Sequence, residues 1–428
     1  MDFPSIYTLA SALTGLLKRE KLKPRILVGK DTRESGPWIE RALIQGIRDN
    51  DGEAYSAGII PTSAVSLLTQ KYHLGAGIVI SASHNPYHDN GIKIFSPRGK
   101  KIPAEWEARL EEEIRARDCN VREKRIRVQP NPRYAEDYIA FLKNRVRLPK
   151  RRRKIKMVLD CANGASSSIA PRVFEELGFE VEAIHNSPDG KNINRGCGSL
   201  HPHKLAHKVL KTGADIGIAF DGDTDRAVWV DEKGKILNGD HTLFVQALFM
   251  RDQARLKTSA VVATILSNMG LETALRKNGL TLLRTRVGDK YVLEKMMEAC
   301  ANLGGEQSGH TIFLDDCPTG DGILTGLKML EAMIGRDLPL SRLTDGLEEY
   351  PQTQLNIRVV KKIDFKEFPE IIRIKEEIEQ ALKGSGRLEL RYSGTEPLAR
   401  VMVEGRDKTQ IEQLAQKMGD VIAKYLGE

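Results

Sequence analysis

The sequence predicts an α/β protein: three stacked α/β domains with mixed sheets, followed by a smaller C-terminal α+β domain. Its 428 residues are too many for one hydrophobic core, so several separately packed domains are expected. Short apolar strands alternate with amphipathic helices through most of the chain, and this alternation is typical of βαβ units. After Pro351 the order changes to strand, helix, strand, strand and helix, which indicates a domain of a different kind.

The first domain is predicted to span residues 1–149 and to open on an amphipathic helix around residues 7–17. Asp2 precedes this segment instead of a basic leader, and the segment is too short to cross a bilayer, so we expect a core helix and no membrane role. A strand at 26–29 and a helix at 38–48 follow. The apolar stripe of the first helix consists of Ile6, Leu9, Leu13, Leu16 and Leu17.

The remaining domains are predicted at residues 150–250, 251–350 and 351–428. Strands are expected at 157–160, 216–220, 260–266 and 282–287. Helices are expected at 170–177, 242–250, 271–277 and 411–425. The basic run at 149–154 is interpreted as a solvated linker between the first two domains, although it also resembles a nucleic-acid patch.

Composition excludes several functional classes. The net charge of +8 comes from 66 basic and 58 acidic residues that are spread along the chain, and nucleic-acid-binding motifs are lacking. An anionic small substrate accounts for the basic excess without a nucleic acid. The five cysteines form no Cys-x-x-Cys pair, which argues against a disulfide framework and against a zinc site and indicates a cytoplasmic protein.

Ser83 is the leading candidate for a nucleophile, because it follows an apolar strand pattern at 77–80 and lies in the run Ser-Ala-Ser-His-Asn-Pro. Taken alone, it is better interpreted as a turn serine. Three polar clusters downstream favour the chemical interpretation, at 221–226, 304–310 and 391–397. Together the four clusters offer a hydroxyl that can be phosphorylated, a group of carboxylates, side chains suited to sugar hydroxyls, and side chains suited to an anion. This combination indicates phosphoryl transfer on a sugar phosphate.

Asp221, Asp223 and Asp225 follow the strand at 216–220, at the carboxyl end where α/β sheets bind ligands. Hard carboxylate oxygens suit Mg²⁺. A calcium loop is the competing interpretation, since Glu232 occupies the twelfth position, but Arg226 stands where an EF-hand requires glycine. An acidic surface turn is the third alternative.

The glycine-rich segment 304–310 presents Glu306, Ser308 and His310, whose donors and acceptors suit vicinal sugar hydroxyls. This signal is weak in isolation.

The segment from residue 391 combines a guanidinium, hydroxyls and a glycine amide, which suits a dianionic phosphate. A polar hairpin with an ion pair from Glu396 is the alternative. The candidate phosphate-binding residues are Arg391, Ser393, Gly394, Thr395 and Arg400.

Four motifs occur in one order along the chain: Ser-His-Asn-Pro, Asp-Gly-Asp-x-Asp-Arg, Glu-x-Ser-Gly-His and Arg-x-Ser-Gly-Thr-Glu-Pro. With them the chain resembles the α-D-phosphohexomutase family from about residue 28 to residue 404. Gln307 and the segments 192–199 and 287–292 make it most similar to the bacterial phosphoglucosamine mutase branch.

The resemblance implies interconversion of glucosamine 6-phosphate and glucosamine 1-phosphate in a central cleft lined by all four domains. Ser83 would carry the phosphoryl group, and a sugar 1,6-bisphosphate would serve as intermediate and activator. The expected partner is the sugar-phosphate substrate, with no nucleic acid and no membrane. Formation of a homodimer is left as an open alternative. One Mg²⁺ would bind at Ser83, Asp221, Asp223 and Asp225. The implied catalytic residues are Ser83, His84, Lys93 and Arg226, with His84 and Lys93 as candidates for proton transfer.

Three alternatives stay open at this point: a phosphomannomutase or phosphoglucomutase, a sugar-phosphate-binding homologue with impaired turnover, and a metal-dependent phosphatase. Two departures from the family pattern bear on them. The chain lacks the family's opening strand and Thr-Asp-Gly-Ile-Arg-Gly loop, from which we expect lowered stability and slow turnover. Arg195 also stands where an acidic residue is expected.

Overall fold

The structure is a computed structural model that describes residues 2–116, 121–149, 153–393 and 396–427. Two sets of predicted residues lie outside the described ones: Lys150, Arg151 and Arg152 of the basic linker, and Gly394 and Thr395 of the phosphate segment. The chain divides into two compact units. One comprises residues 1–264 and 283–345, and the other comprises residues 265–282 and 346–428.

The N-terminal part of the first unit is built on a four-stranded sheet of order β2-β1-β3-β4, in which only β4 is antiparallel. The predicted first helix is present and starts earlier than expected, because the Asp2 carboxylate caps it by accepting the Ser5 N–H. The elements are α1 (Phe3–Arg19), β1 (Arg25–Lys30), α2 (Gly36–Arg48), β2 (Glu53–Ile59), α3 (Thr62–Lys71), β3 (Ala76–Ile80), β4 (Ile92–Phe95), α4 (Ala104–Ala116) and α5 (Arg133–Lys143).

Strand β4 forms one edge of this sheet among the described residues, because its only strand partner there is β3, apart from a single bridge between Phe95 and Lys101. A cavity of about 330 Å³ lies beside β4 and is lined by side chains from α1, β4, α4 and the segment between β4 and α4. Its apolar lining comes from Leu9, Ile92, Ile94, Ile102, Leu110 and Ile114. This edge is short, which limits its capacity to pair with another chain.

The second sheet has five strands in the order β6-β5-β7-β8-β9, with β5, β6 and β7 parallel and the last two antiparallel. The predicted strand at 216–220 coincides with β7, whose five residues are all buried. The elements are β5 (Lys156–Asp160), α6 (Ile169–Glu176), β6 (Glu180–Ile184), α7 (His203–Thr212), β7 (Ile216–Phe220), β8 (Ala227–Asp231), β9 (Ile236–Leu237) and α8 (Gly239–Asp252).

The third sheet has the order β11-β10-β12-β13, and the antiparallel pair β12–β13 flanks the predicted sugar loop. The strand predicted at 260–266 ends at Thr264. The elements are β10 (Ala260–Thr264), α9 (Met269–Lys277), β11 (Thr281–Thr285), α10 (Asp289–Glu298), β12 (Leu303–Gly305), β13 (Thr311–Phe313), α11 (Gly322–Arg336) and α12 (Leu340–Leu343).

The C-terminal part is a three-stranded antiparallel sheet of order β14-β16-β15 packed against two helices, so the predicted order of elements is confirmed. Its elements are β14 (Gln352–Arg358), a 3₁₀ turn (Phe365–Glu367), α13 (Pro369–Ala381), β15 (Gly386–Tyr392), β16 (Leu398–Gly405) and α14 (Lys408–Leu426). Across the chain, the predicted class of three α/β domains and one smaller α+β domain is confirmed. Every helix in the described part is too short or too polar to cross a bilayer.

One buried arginine holds the loop that follows β3. Arg33 lies just after β1, and its guanidinium is fully buried. Its Nε donates to Asp31 Oδ2 at 2.8 Å, and its two terminal nitrogens donate to main-chain carbonyls of residues 83–89. Those carbonyls belong to Ser83 at 3.0 Å, Asn85 at 2.9 Å, Asp89 at 2.9 Å and Pro86. All five guanidinium protons are therefore in hydrogen bonds, and these bonds connect the loop 83–89 to the end of β1.

The carboxylate of Asp31 completes this arrangement. It accepts the Ser81 hydroxyl at 2.6 Å in addition to Arg33. Burial raises the pKa of Asp31, and the Arg33 charge together with the hydrogen bonds opposes that rise. The pair is therefore mutually dependent, since either member alone would be an uncompensated buried charge.

We expect Arg33→Met to lower the free energy of unfolding by about 3–5 kcal/mol, because it leaves Asp31 buried without its counter-charge. The double variant Asp31→Asn with Arg33→Met should recover part of that loss, since no charge is stranded. Urea unfolding measures both, and hydrogen exchange at residues 83–91 should accelerate in the single variant. Equal losses in the single and double variants would show that the charge pair is not the stabilising feature.

Candidate active site

Ser83 lies at the exit of β3 in a left-handed conformation, with φ of 50°. A non-glycine residue adopts this region only where its surroundings over-determine it. The Ser83 N–H donates to Ser81 Oγ at 2.9 Å, and its hydroxyl donates to Asp221 Oδ2 at 2.6 Å. The strained turn thus points the candidate nucleophile at the carboxylate cluster of the second sheet.

The predicted carboxylates do converge. Asp221, Asp223 and Asp225 leave β7 in a buried loop, and one oxygen from each lies within 4.8 Å of the others. Asp223 Oδ1 and Asp225 Oδ1 are buried without a hydrogen-bond partner. Buried oxygens left without donors are what a cation would satisfy, so this triad can hold a metal ion.

Two cations already face these three carboxylates. Lys93 Nζ, from β4, donates to Asp223 Oδ2 at 2.6 Å and to Asp225 Oδ2 at 3.0 Å. Arg226 places its Nε 3.8 Å from Asp221 Oδ2 and the same distance from Asp225 Oδ1. When all three carboxylates are ionised, they outweigh these two cations by one negative charge, which a further cation would balance.

The pKa values of these groups follow from burial and from one another. Burial, and then the charges of Asp225 and Asp223, raise the pKa of Asp221 well above its usual range. Burial also acts to raise the pKa of Asp225, but Lys93, His310 and Arg226 outweigh it and the pKa falls. For Lys93 burial acts to lower the pKa, and the neighbouring carboxylates raise it, so Lys93 keeps its proton.

His84 is half-buried beside the candidate nucleophile, with its Nδ1 3.5 Å from Ser83 Oγ. Burial, and then the positive charge of Arg226, lower its pKa. The imidazole is therefore neutral at physiological pH and has a lone pair available near the serine hydroxyl.

The predicted sugar loop runs from β12 to β13 and touches the carboxylate loop. The Ala227 N–H donates to Gly309 O at 3.1 Å, and Arg226 forms an antiparallel bridge with His310. Gly309 has a φ of 97°, and a Cβ there would lie 2.5 Å from the Ala227 carbonyl oxygen. Only glycine permits this approach.

The three sugar-loop candidates differ in accessibility. Ser308 is exposed, and Glu306 is half-buried and accepts the Gly288 N–H at 3.1 Å. His310 is only 3 % exposed, and its Nε2 accepts the Gly320 N–H at 3.2 Å. Glu306 and Ser308 are thus available to a ligand, whereas His310 lies in the interior next to Asp289.

The phosphate-segment candidates belong to the second unit. Arg391 on β15 lies opposite Arg400 on β16, and burial and then the Arg400 charge lower the pKa of Arg391. Arg400 donates to Glu396 Oε2 at 2.9 Å and to Ser393 Oγ at 3.4 Å. Two facing guanidiniums attract an anion, and the ion pair of the alternative hairpin interpretation is present as well.

Sequence reasoning missed several residues that hold the site together. Asn194 donates to the carbonyls of Ser83 and Asn85 at 2.8 and 3.1 Å, and the Thr62 hydroxyl donates to Asp223. In the sequence, the segment 192–199 carries a signal only for the family branch, and Arg33 lies in no motif. Arg195, the unexpected residue in that segment, is exposed.

Four family models match the chain in sequence order. They are the phosphoglucomutase/phosphomannomutase α/β/α domain I at residues 1–120, domain II at 136–234, domain III at 238–350 and the C-terminal domain at 355–421.

Curated relatives match over nearly the whole chain. A phosphoglucosamine mutase from Geotalea daltonii is 43 % identical over 424 residues, which cover 98 % of this chain and 93 % of the relative. A phosphoglucosamine mutase from Thermoanaerobacter pseudethanolicus is 45 % identical over 418 residues, which cover 94 % and 91 %.

Solved structures share the fold. A phosphoglucomutase/phosphomannomutase family protein from Burkholderia thailandensis superposes with a TM-score of 0.80 at 23 % identity, covering 99 % of this chain and 94 % of that one. The Aspergillus fumigatus N-acetylphosphoglucosamine mutase, solved with GlcNAc-6P and magnesium, gives 0.66 at 19 % identity, covering 85 % and 92 %. With all four domains and these relatives matched, the chain belongs to the phosphoglucomutase/phosphomannomutase family, the α-D-phosphohexomutases.

Proposed function

We propose that this chain is a phosphoglucosamine mutase that interconverts glucosamine 6-phosphate and glucosamine 1-phosphate. The observation that carries the proposal is the 2.6 Å contact of the Ser83 hydroxyl with Asp221, inside a buried carboxylate triad backed by Lys93 and Arg226. Curated phosphoglucosamine mutases that are 41–45 % identical over nearly the full chain support the choice of aminosugar.

The proposed reaction begins with a phosphoryl group on Ser83 Oγ. A free sugar hydroxyl attacks the phosphorus, the P–Oγ bond breaks, and a sugar 1,6-bisphosphate forms. The bisphosphate then turns over, its other phosphoryl group returns to Ser83, and the product keeps the one that Ser83 donated. Atoms balance, because each transfer breaks one P–O bond, forms another and moves one proton.

The chain's own groups divide this work. Lys93 and Arg226 stabilise the charge on the transferring phosphoryl group. His84, neutral and 3.5 Å from Ser83 Oγ, is better suited than the protonated Lys93 to accept and return the proton. One Mg²⁺ held by Asp221, Asp223 and Asp225, together with Ser83, would supply further charge neutralisation when bound.

The proposed substrate contacts complete the assignment. The Glu306 carboxylate accepts hydrogen bonds from the sugar hydroxyls, and the Ser308 hydroxyl accepts or donates them. His310 packs behind this loop in the interior. Arg391, Ser393 and Arg400, with Gly394 and Thr395, hold the phosphate that is not reacting. Free cysteines and the anionic substrate suit the cytoplasm, and a sugar bisphosphate is the proposed activator.

We expect Ser83→Ala to abolish more than 99 % of turnover while glucosamine 6-phosphate still binds, because the variant lacks the acceptor of the phosphoryl group. Turnover assays and calorimetric binding measure the two effects, and Ser5→Ala, at an exposed serine of α1, is the matched control. Intact-mass analysis with glucosamine 1,6-bisphosphate should show one added phosphoryl group on the parent protein and none on the variant. Substantial activity in Ser83→Ala would rule out the phosphoserine route.

Replacing Asp223 with Asn should slow turnover by about 10²–10³-fold and raise the Mg²⁺ concentration needed for half-maximal rate, because one ligand charge is lost. Initial rates across a Mg²⁺ titration test this, with Asp345→Asn as an exposed-carboxylate control. If the Asn variant turned over normally in the presence of a chelator, the triad would have no role as a metal site.

Among sugar phosphates, we expect glucosamine phosphate to have a higher kcat/KM than glucose or mannose phosphate. The relatives and the segment around Gln307 are the grounds for this order. Side-by-side kinetics on the three substrates decide it. A clear preference for mannose or glucose phosphate would reassign the chain to the phosphomannomutase/phosphoglucomutase branch, and hydrolysis without transfer would make it a phosphatase.

A further inference from the structure

A second cluster of potential metal ligands lies on the second sheet, apart from the aspartate triad. It consists of Asp160 at the end of β5, His185 directly after β6, and Cys197 in the segment before α7. One donor atom from each lies within 4.8 Å of the other two. Asp160 and Cys197 are buried, whereas about a quarter of the His185 side chain is exposed, which leaves the cluster open to an ion from solvent.

The Asp160 carboxylate is oriented by the main chain. Its Oδ1 accepts the Ala162 N–H at 2.9 Å, and its Oδ2 accepts the Gly198 N–H at 3.0 Å. Each carboxylate oxygen has a second lone pair, so these bonds leave Oδ2 able to bind an ion. Backbone donors of this kind commonly fix metal-binding carboxylates.

The imidazole of His185 points its Nδ1 into the cluster. This atom is buried and makes no hydrogen bond, although Asp160 Oδ2 lies only 3.0 Å away. The two atoms are close but are not aligned for a hydrogen bond, and an ion between them would satisfy both. The left-handed backbone of His185, with φ of 47°, holds the ring in this place.

Cys197 supplies the third donor. Burial, and then the Asp160 charge, raise the pKa of its thiol to about 12. A bound cation would displace the thiol proton into solvent and take the thiolate as ligand.

We propose that Asp160 Oδ2, His185 Nδ1 and Cys197 Sγ form a site for one borderline-soft divalent cation of the Zn²⁺ class, with water in the fourth position. Oxygen, nitrogen and sulfur donors at about 2.0–2.3 Å are the tetrahedral ligand set that Zn²⁺ adopts. The same set is unsuited to Mg²⁺, which prefers oxygen ligands.

Occupancy of this site would stiffen the segment that supports the nucleophile loop. Asn194, three residues before Cys197, donates to Ser83 O, and the Ser199 N–H donates to Phe220 O beside the aspartate triad. The ion thus links β5, β6 and this segment. We expect it to raise the melting temperature and to slow amide exchange at residues 194–199.

Cobalt titration tests the proposal with a readout that is independent of activity. Co²⁺ is added to the full chain in saturating Mg²⁺, and a thiolate-to-cobalt charge-transfer band is followed in the near ultraviolet. We expect one equivalent to produce the band in the parent chain and Zn²⁺ to abolish it by displacement. Cys197→Ser should remove the band. Cys317→Ser should retain it, since Cys317 is equally buried with a thiol pKa of about 12 but lies outside the cluster.

Two further variants keep the test decisive. Asp223→Asn should retain the band, which separates this site from the aspartate triad. If Cys197→Ser fails to fold, His185→Gln replaces it and should weaken Co²⁺ binding at least tenfold. Absence of a band in the parent chain, a band that survives both substitutions, or one that disappears with the exposed Cys300→Ser would overturn the proposal.

Discussion

The first unit is organised around negative charge buried at the end of β7. Three aspartates within five residues cannot leave water unless cations accompany them, because desolvating each charge costs several kcal/mol. Lys93 comes from the first sheet, and Arg226 follows the aspartates and bridges to the sugar loop between β12 and β13. Charge compensation therefore draws together the first two sheets, and the main-chain bridge from Arg226 adds the third. Two carboxylate oxygens are left without donors. The capacity to hold a metal ion follows directly from that imbalance.

Backbone strain accompanies this electrostatic arrangement. Ser83, Asn194 and Thr224 all have positive φ values, and each lies in a loop of the candidate site. Such conformations cost about 1–3 kcal/mol each and persist only where the surroundings impose them. At Ser83 the conformation is held by Arg33 and Asn194, whose side chains both donate to the Ser83 carbonyl oxygen. The hydroxyl of Ser83 is thus positioned by atoms that take no part in the proposed chemistry.

The two clusters of potential metal ligands on the second sheet differ in the kind of donor atom that they offer. Both lie at the carboxyl ends of parallel strands, where α/β sheets present their loops. The aspartate triad offers only oxygens and faces the nucleophile, whereas the cluster of Asp160, His185 and Cys197 offers oxygen, nitrogen and sulfur. Under the two proposals, ligand type alone would direct hard and borderline-soft cations to different places.

The sequence by itself determined the elements and the motif residues. Periodicity located β7 to the residue and the first helix to within a few, because local hydrogen bonding and apolar faces are recorded in neighbouring residues. It also identified Ser83 and the three aspartates, and the structure places the Ser83 hydroxyl against Asp221. Only the tertiary structure decided that Arg33 gathers the carbonyls around Ser83 and that His310 is buried. It also brought Asp160, His185 and Cys197 together, although the absence of cysteine pairs argued against such a site. These contacts join segments that are distant in sequence, so packing, and not local pattern, determines them.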